Sequence, residues 1–107
     1  MIIEIDSESL RKRLTDGEEV LLVDIRTPAE IAQGAIPDAV LIPMHLIPLR
    51  LSELPKDREV VLYCRSGARS YQACAYLMQQ GYDRVLNLRG GIIAWARHGF
   101  PIETPAF

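Results

Sequence analysis

Along the chain, apolar residues fall into short blocks whose spacing alternates between strand-like runs and helical periodicity. Ile2 to Ile5 forms the first strand candidate, and Asp6 or Ser7 can cap the helix that follows. Leu10 and Leu14 recur there at helical spacing, and Asp16-Gly17 ends it. Val20 to Ile25 is a nearly unbroken apolar run bounded by turns, the pattern of a strand covered on both faces. Thr27-Pro28-Ala29-Glu30 carries a strong local signal: Thr27 can cap, Pro28 suits the first helical position, and Glu30 can complete a capping box. That helix ends at Gly34. Ala39 to Ile42 reads as a third strand closed by Pro43, and His45 to Leu54 as helix in pieces, limited by Pro48 and Pro55. Glu59 to Tyr63 is a buried strand leading directly into Cys64. A helix follows with Tyr71, Cys74, Ala75 and Met78 on one face, ended by Gly81. Val85 to Leu88 gives a fifth strand, Gly90-Gly91 a tight turn, and Ile92 to His98 a last helix stopped by Gly99 and Pro101.

Strands alternate with helices throughout, which predicts an α/β fold: a mainly parallel five-stranded sheet with helices on both faces. At 107 residues the chain is expected to form a single domain spanning 1–107. Hydrophobic residues at 49% and charged residues at 24% describe an ordinary globular chain and exclude a disordered one. A net charge of −2 argues against a nucleic-acid surface. No apolar run reaches membrane-spanning length, and the acidic start, Met-Ile-Ile-Glu-Ile-Asp, lacks the basic residues and long apolar run of a signal peptide. The two cysteines, Cys64 and Cys74, have nine residues between them. That spacing does not suit zinc, and His45 and His98 offer no paired ligand motif. With no disulfide framework, a cytoplasmic setting is expected.

In open parallel sheets, ligands bind beyond the carboxyl ends of the strands, and Cys64 lies at such an end. Cys64-Arg65-Ser66-Gly67-Ala68-Arg69-Ser70 connects a buried strand to a helix. Such a turn can aim successive backbone N–H groups into one hollow near the positive end of the helix dipole. The hollow suits an anion, and Gly67 can take the positive φ that lets the chain curl. Amides and the nearby Arg65 and Arg69 should depress the Cys64 thiol pKa and raise its thiolate fraction. An arginine fork also matches oxyanions well.

This stretch resembles the active-site loop of the rhodanese family in its single-domain form, Cys-Arg-x-Gly-x-Arg-Ser. Leu22-Val23-Asp24-Ile25-Arg26-Thr27-Pro28-Ala29-Glu30 is similar to the family's second-strand motif. Gly34-Ala35-Ile36-Pro37-Asp38-Ala39 is similar to the following loop, and Leu88-Arg89-Gly90-Gly91-Ile92-Ile93-Ala94-Trp95 to the C-terminal block. The blocks occur in the family's order and cover essentially the whole chain. Two positions depart from the pattern: Ala35 stands where histidine is usual, and Asp38 where glycine is usual.

The resemblance implies a sulfurtransferase working through a Cys64 persulfide, with ping-pong kinetics and no metal or organic cofactor. Its substrate would be a small sulfur-containing anion such as thiosulfate, or a persulfide, and its acceptor a thiol or a protein. Arg69 would hold the anionic donor and Arg65 assist at the loop mouth. The amides from Arg65 through Ser66, Gly67, Ala68 and Arg69 to Ser70 would supply most of the electrostatic stabilisation. Alternatives are a non-catalytic interaction module of the same fold, or phosphatase or arsenate-reductase chemistry. The phosphatase reading is disfavoured because its loops place five residues between Cys and Arg, whereas here four separate Cys64 from Arg69.

Other conspicuous residues have simpler explanations. Cys74 fits a core position, and a Cys64–Cys74 disulfide is not expected because a helical turn or more separates the two. Asp24 and Arg26 suit a structural ion pair, and Trp95 and Tyr82 core or rim packing. His45 and His98 are expected to face solvent or serve structure, and Arg11-Lys12-Arg13 to be a solvated helix face. Arg89 receives no role.

Overall fold

A computed structural model describes residues 1–105. Five strands, β1 (Ile3–Ile5), β2 (Leu21–Asp24), β3 (Val40–Leu41), β4 (Val60–Tyr63) and β5 (Val85–Leu88), form one sheet in the order β1-β5-β4-β2-β3. Every pairing is parallel. Three helices lie between strands, α1 (Ser7–Thr15), α2 (Pro28–Ala32) and α3 (Ala68–Gln79), and a fourth, α4 (Gly91–Arg97), follows β5. The stretch after β3 winds as two 3₁₀ segments, Met44–Leu49 and Leu51–Glu53, because Pro48 removes the amide that a continuing α-helix would need. Among the described residues, no helix is long and apolar enough to cross a membrane.

The two-residue side-chain period of the strands sorts the core into two layers. Val60 and Leu62 of β4 face one way, joining Cys64, Ala73, Cys74, Leu77 and Ile47 under α3. Val61 and Tyr63 face the other, with Leu10, Leu86, Leu88 and Trp95 beneath α1 and α4. All four β4 residues are fully buried, as the continuous apolar run requires of a strand covered on both faces. Each such side chain contributes roughly 1.5–3 kcal/mol of transfer free energy.

Local capping explains the helix starts. Asp6, not Ser7, caps α1, its side chain accepting from the Ser9 amide at 2.7 Å. The Thr27–Glu30 capping box is formed in full, with Pro28 at the head of α2. Asp24 and Arg26 make a buried ion pair, with Arg26 Nη2 2.8 Å from Asp24 Oδ2, and the same nitrogen donates to the Gly34 carbonyl at 2.7 Å. They tie the end of β2 to the next loop. Asp38 has φ +66°, the left-handed conformation for which glycine is the usual choice and which Asp tolerates. Ala35 is buried and forms an antiparallel bridge with Glu103.

Three expectations need correction. The buried face of α3 is Ser70, Ala73, Cys74 and Leu77, whereas Tyr71 and Met78 are exposed. Two stripes one residue apart share Cys74, and periodicity alone does not choose between them. The Arg11-Lys12-Arg13 triplet is not wholly solvated: Arg13 donates to Glu18 and Glu59, and Arg11 lies over Phe100. The third strand pairs only over Val40–Leu41, as an edge strand running into Pro43. Trp95 is buried, with Nε1 donating to the Pro101 carbonyl at 2.8 Å, and Tyr82 is buried with its hydroxyl on the Leu54 carbonyl. His45 and His98 are exposed.

Candidate active site

The chain leaves β2 toward the β3 edge of the sheet and leaves β4 toward β5. The carboxyl ends of the neighbouring strands β2 and β4 therefore flank a topological switch point, where the two connections diverge and open a crevice. Arg26 to Glu30 enter it from β2, and Cys64 to Ser70 from β4.

Cys64 is 1% exposed and continues the Val60–Leu62 face toward α3. The chain after it curls through Gly67, at φ +102°, into the first turn of α3. This curl turns the Gly67 amide onto Cys64 Sγ at 3.1 Å and the Ser70 amide onto it at 3.5 Å. The Ser70 hydroxyl lies 3.4 Å from the same sulfur. Burial by itself would push the thiol pKa up. The Ser70 hydroxyl and the amides of Ser70, Gly67 and Ser66 outweigh it, and the thiol is held below its ordinary value. The sulfur lies at the N-terminus of a 12-residue helix, whose dipole adds in the same direction.

Two supports keep the amides turned inward. On the outer side of the loop, the Ile92 amide donates to the Cys64 carbonyl at 3.0 Å and the Ile93 amide to the Arg65 carbonyl at 3.2 Å. Those carbonyls are thereby directed away from the sulfur. The approach demands glycine at 91, where φ is +58° and a Cβ would stand 2.4 Å from the Arg65 carbonyl oxygen. On the inner side, buried Asn87 of β5 donates to the Gly67 carbonyl at 3.1 Å and to Glu4 Oε2 at 2.9 Å. Its Oδ1 is left facing the Ser70 hydroxyl, which donates to it. That hydroxyl has one hydrogen, shared between Asn87 and Cys64.

Of the residues singled out in the sequence, the structure gathers Cys64, Ser66, Gly67 and Ser70 around the sulfur. Arg65 and Ala68 are exposed, and Arg65 forms no ion pair with any described residue. Arg69 points its fork at Glu30, Nη1 and Nη2 each lying 2.8 Å from a separate carboxylate oxygen. Beside the loop runs an open groove of about 450 Å³ whose lining includes Arg26, Ala29, Glu30, Arg65, Ile92 and Ile93. Among the described residues, no group of three or more His, Cys, Asp or Glu side chains is placed to hold a metal ion. Asn87, Gly91 and the Glu30–Arg69 pair were not singled out for the site. The one available signal was an asparagine inside the apolar strand Val-Leu-Asn-Leu, since a buried polar side chain needs partners.

A parallel sheet with a strand-end cysteine inside a ring of amides defines a class, and the sequence comparison agrees with it. The family model of the rhodanese-like domain matches residues 6–98, and the chain belongs to that family. It is 81% identical over 105 residues to a sulfurtransferase of Allochromatium vinosum, covering 98% of each chain. Against YtwF of Bacillus subtilis the identity is 45%, over 88% of this chain and 90% of the relative. Among solved structures, a rhodanese-like domain protein from Staphylococcus aureus superposes with a TM-score of 0.89 at 35% identity, covering 98% of this chain and all of the other.

Proposed function

We propose that the protein is a sulfurtransferase in which Cys64 carries the sulfur as a persulfide. The observation behind this reading is that Cys64 Sγ, buried at the end of β4, accepts hydrogen bonds from the Gly67 and Ser70 amides in a helix N-terminal hollow. Such a hollow favours a sulfur that is negatively charged, and a depressed thiol pKa raises the thiolate fraction. In the first half-reaction the Cys64 thiolate attacks the outer sulfur of the donor. The donor's sulfur–sulfur bond breaks and its electron pair leaves with the remainder, as sulfite when the donor is thiosulfate. The product is the Cys64 persulfide anion. In the second, an acceptor thiolate attacks the terminal sulfur and Cys64 departs as thiolate. Charge is conserved in each step, with no external oxidant or reductant.

The fixed amides serve both halves. They stabilise the thiolate as nucleophile, and they stabilise it again as leaving group without reorganising. The relatives' sulfurtransferase name and the filled amide ring support an enzyme over an interaction module. The four-residue span between Cys64 and Arg69 favours a sulfur atom over a phosphoryl group.

The test is whole-protein mass spectrometry after incubation with thiosulfate or with a low-molecular-weight persulfide. Wild-type protein gains the mass of one sulfur, lost again on adding a thiol acceptor, and Cys64→Ser gains none. A Cys64→Ser protein that transfers sulfur at the wild-type rate would sink the proposal.

A further inference from the structure

Three guanidinium groups, Arg26, Arg65 and Arg69, stand at the mouth of the crevice, but two of them are already engaged. Arg26 is spent on Asp24 and the Gly34 carbonyl, and both partners of that pair are buried. Arg69 is held by Glu30 through two parallel hydrogen bonds of 2.8 Å, the bidentate geometry in which a guanidinium fork binds a carboxylate most strongly. The Glu30 carboxylate is itself fixed. Its Oε1 accepts from the Thr27 amide and the Thr27 hydroxyl, both at 3.2 Å, as half of the α2 capping box. Swinging it away would break that half of the box and leave the Thr27 amide without its acceptor. Nor does acid near neutrality release it, since the Arg69 hydrogen bonds hold the Glu30 pKa down at about 2. Arg69 is therefore neutralised in the resting protein, and Arg65 is the exposed guanidinium at the mouth without an ion-pair partner among the described residues.

The groove beside it has a different character from a pocket for a small inorganic anion. Its volume, about 450 Å³, falls in the range of sites that bury whole organic ligands. Ala29, Ile92, Ile93, Ala96 and Ile102 contribute an apolar wall. A five-atom dianion leaves that wall wet and meets one free cation.

We propose that Glu30 is a specificity-determining residue: by occupying the Arg69 fork it selects a singly charged sulfur donor with an apolar body over a small inorganic dianion. The inference rests on the sulfur-carrier reading and names the donor class of that site. The apolar body lies along Ile92 and Ile93, its single negative charge is met by Arg65, and its outer sulfur is presented to Cys64. For such a donor, a second free arginine adds nothing. For a dianion, it is the missing contact.

Benzenethiosulfonate and thiosulfate separate these cases, because both deliver an outer sulfur to a thiolate. The first is a monoanion with an aromatic body, leaving as benzenesulfinate, and the second a bare dianion leaving as sulfite. Glu30→Gln keeps an oxygen for the Thr27 amide, so α2 stays capped, but surrenders the ionic hold on Arg69. For thiosulfate, kcat/KM is expected to rise about tenfold, chiefly through KM, as one charge-assisted contact becomes available. For benzenethiosulfonate it stays within about twofold. Adding Arg69→Met to Glu30→Gln abolishes the thiosulfate gain. Equal changes for the two donors, a fall with thiosulfate, or a gain that survives loss of Arg69 would overturn the role of Glu30. Wild-type protein that takes sulfur from neither donor would overturn the carrier reading and this inference with it, whereas normal loading with an unchanged donor ratio overturns this inference alone.

Discussion

Cys64 and Cys74 are equally hidden, at 1% and 0% exposure, and both line the same core layer under α3. Their chemistry diverges because of what faces each sulfur. Among the described residues nothing donates a hydrogen bond to the Cys74 sulfur, and burial, with the Glu4 carboxylate acting in the same direction, pushes its thiol up to about 12. Around Cys64, burial works in the same direction but is outweighed by the Ser70 hydroxyl and three amides. Ten residues apart along the chain, a sulfur with a lowered thiol pKa and one with a raised pKa lie at the same depth of burial. Burial alone therefore does not set the thiol pKa in this chain. The direction of the nearest peptide dipoles counts as well.

The comparison can be broken most severely by letting the amides turn away. Gly91→Ala drives a Cβ into the Arg65 carbonyl, so the loop must shift. Sulfur loading from either donor should fall about 100-fold, the cost of an ångström-scale misplacement, and the Cys64 thiol pKa should rise toward that of Cys74. Single-turnover loading and pH-dependent alkylation check this, with circular dichroism confirming the fold.

Alkaline stability is the next largest effect. The raised Cys74 pKa means the unfolded state loses its proton near the ordinary thiol value while the folded state keeps it. Stability therefore falls with rising pH between that value and about 12. Cys74→Ala removes this slope. By about pH 10.5 the variant should have lost about 2.5 kcal/mol less than wild type, measured by urea unfolding against pH. Cys64 has the opposite sign. Its lowered pKa gives a contribution complete above the unfolded thiol value and lost as pH falls through the folded one.

Ser70→Ala sharpens the contrast more gently. Removing one of the donors to Cys64 raises its pKa and lowers the alkylation rate at neutral pH by up to about tenfold, the worth of one hydrogen bond. An unchanged rate would show that the shared hydrogen stays with Asn87. Smallest of all, Cys74→Ala at neutral pH costs about 1 kcal/mol of stability from the vacated volume and leaves sulfur loading at the wild-type rate.

What the sequence made legible was whatever depends on neighbours along the chain. The Thr27–Glu30 capping box, the β4 and β5 runs and the curled loop after Cys64 are all encoded within a few residues. The α3 face was misjudged because stripes beginning at Ser70 and at Tyr71 are rotated by only one residue, and the choice between them is made by β4 and β5 across the sheet. The Glu30–Arg69 pair joins residues 39 apart, and Asn87 meets Gly67 from 20 away. Those contacts exist only because strand order puts β2 and β5 on either side of β4, and no local pattern announces that order.

The parting of the chain after β2 and after β4 has a corollary. The segment that bears Cys64 and the segment that bears Glu30 are separate stretches meeting where β2 and β4 lie side by side. If Glu30 selects the donor as proposed, substitutions within Arg26 to Gly34 are expected to change which donors are accepted while Cys64 keeps its Gly67 and Ser70 amide donors.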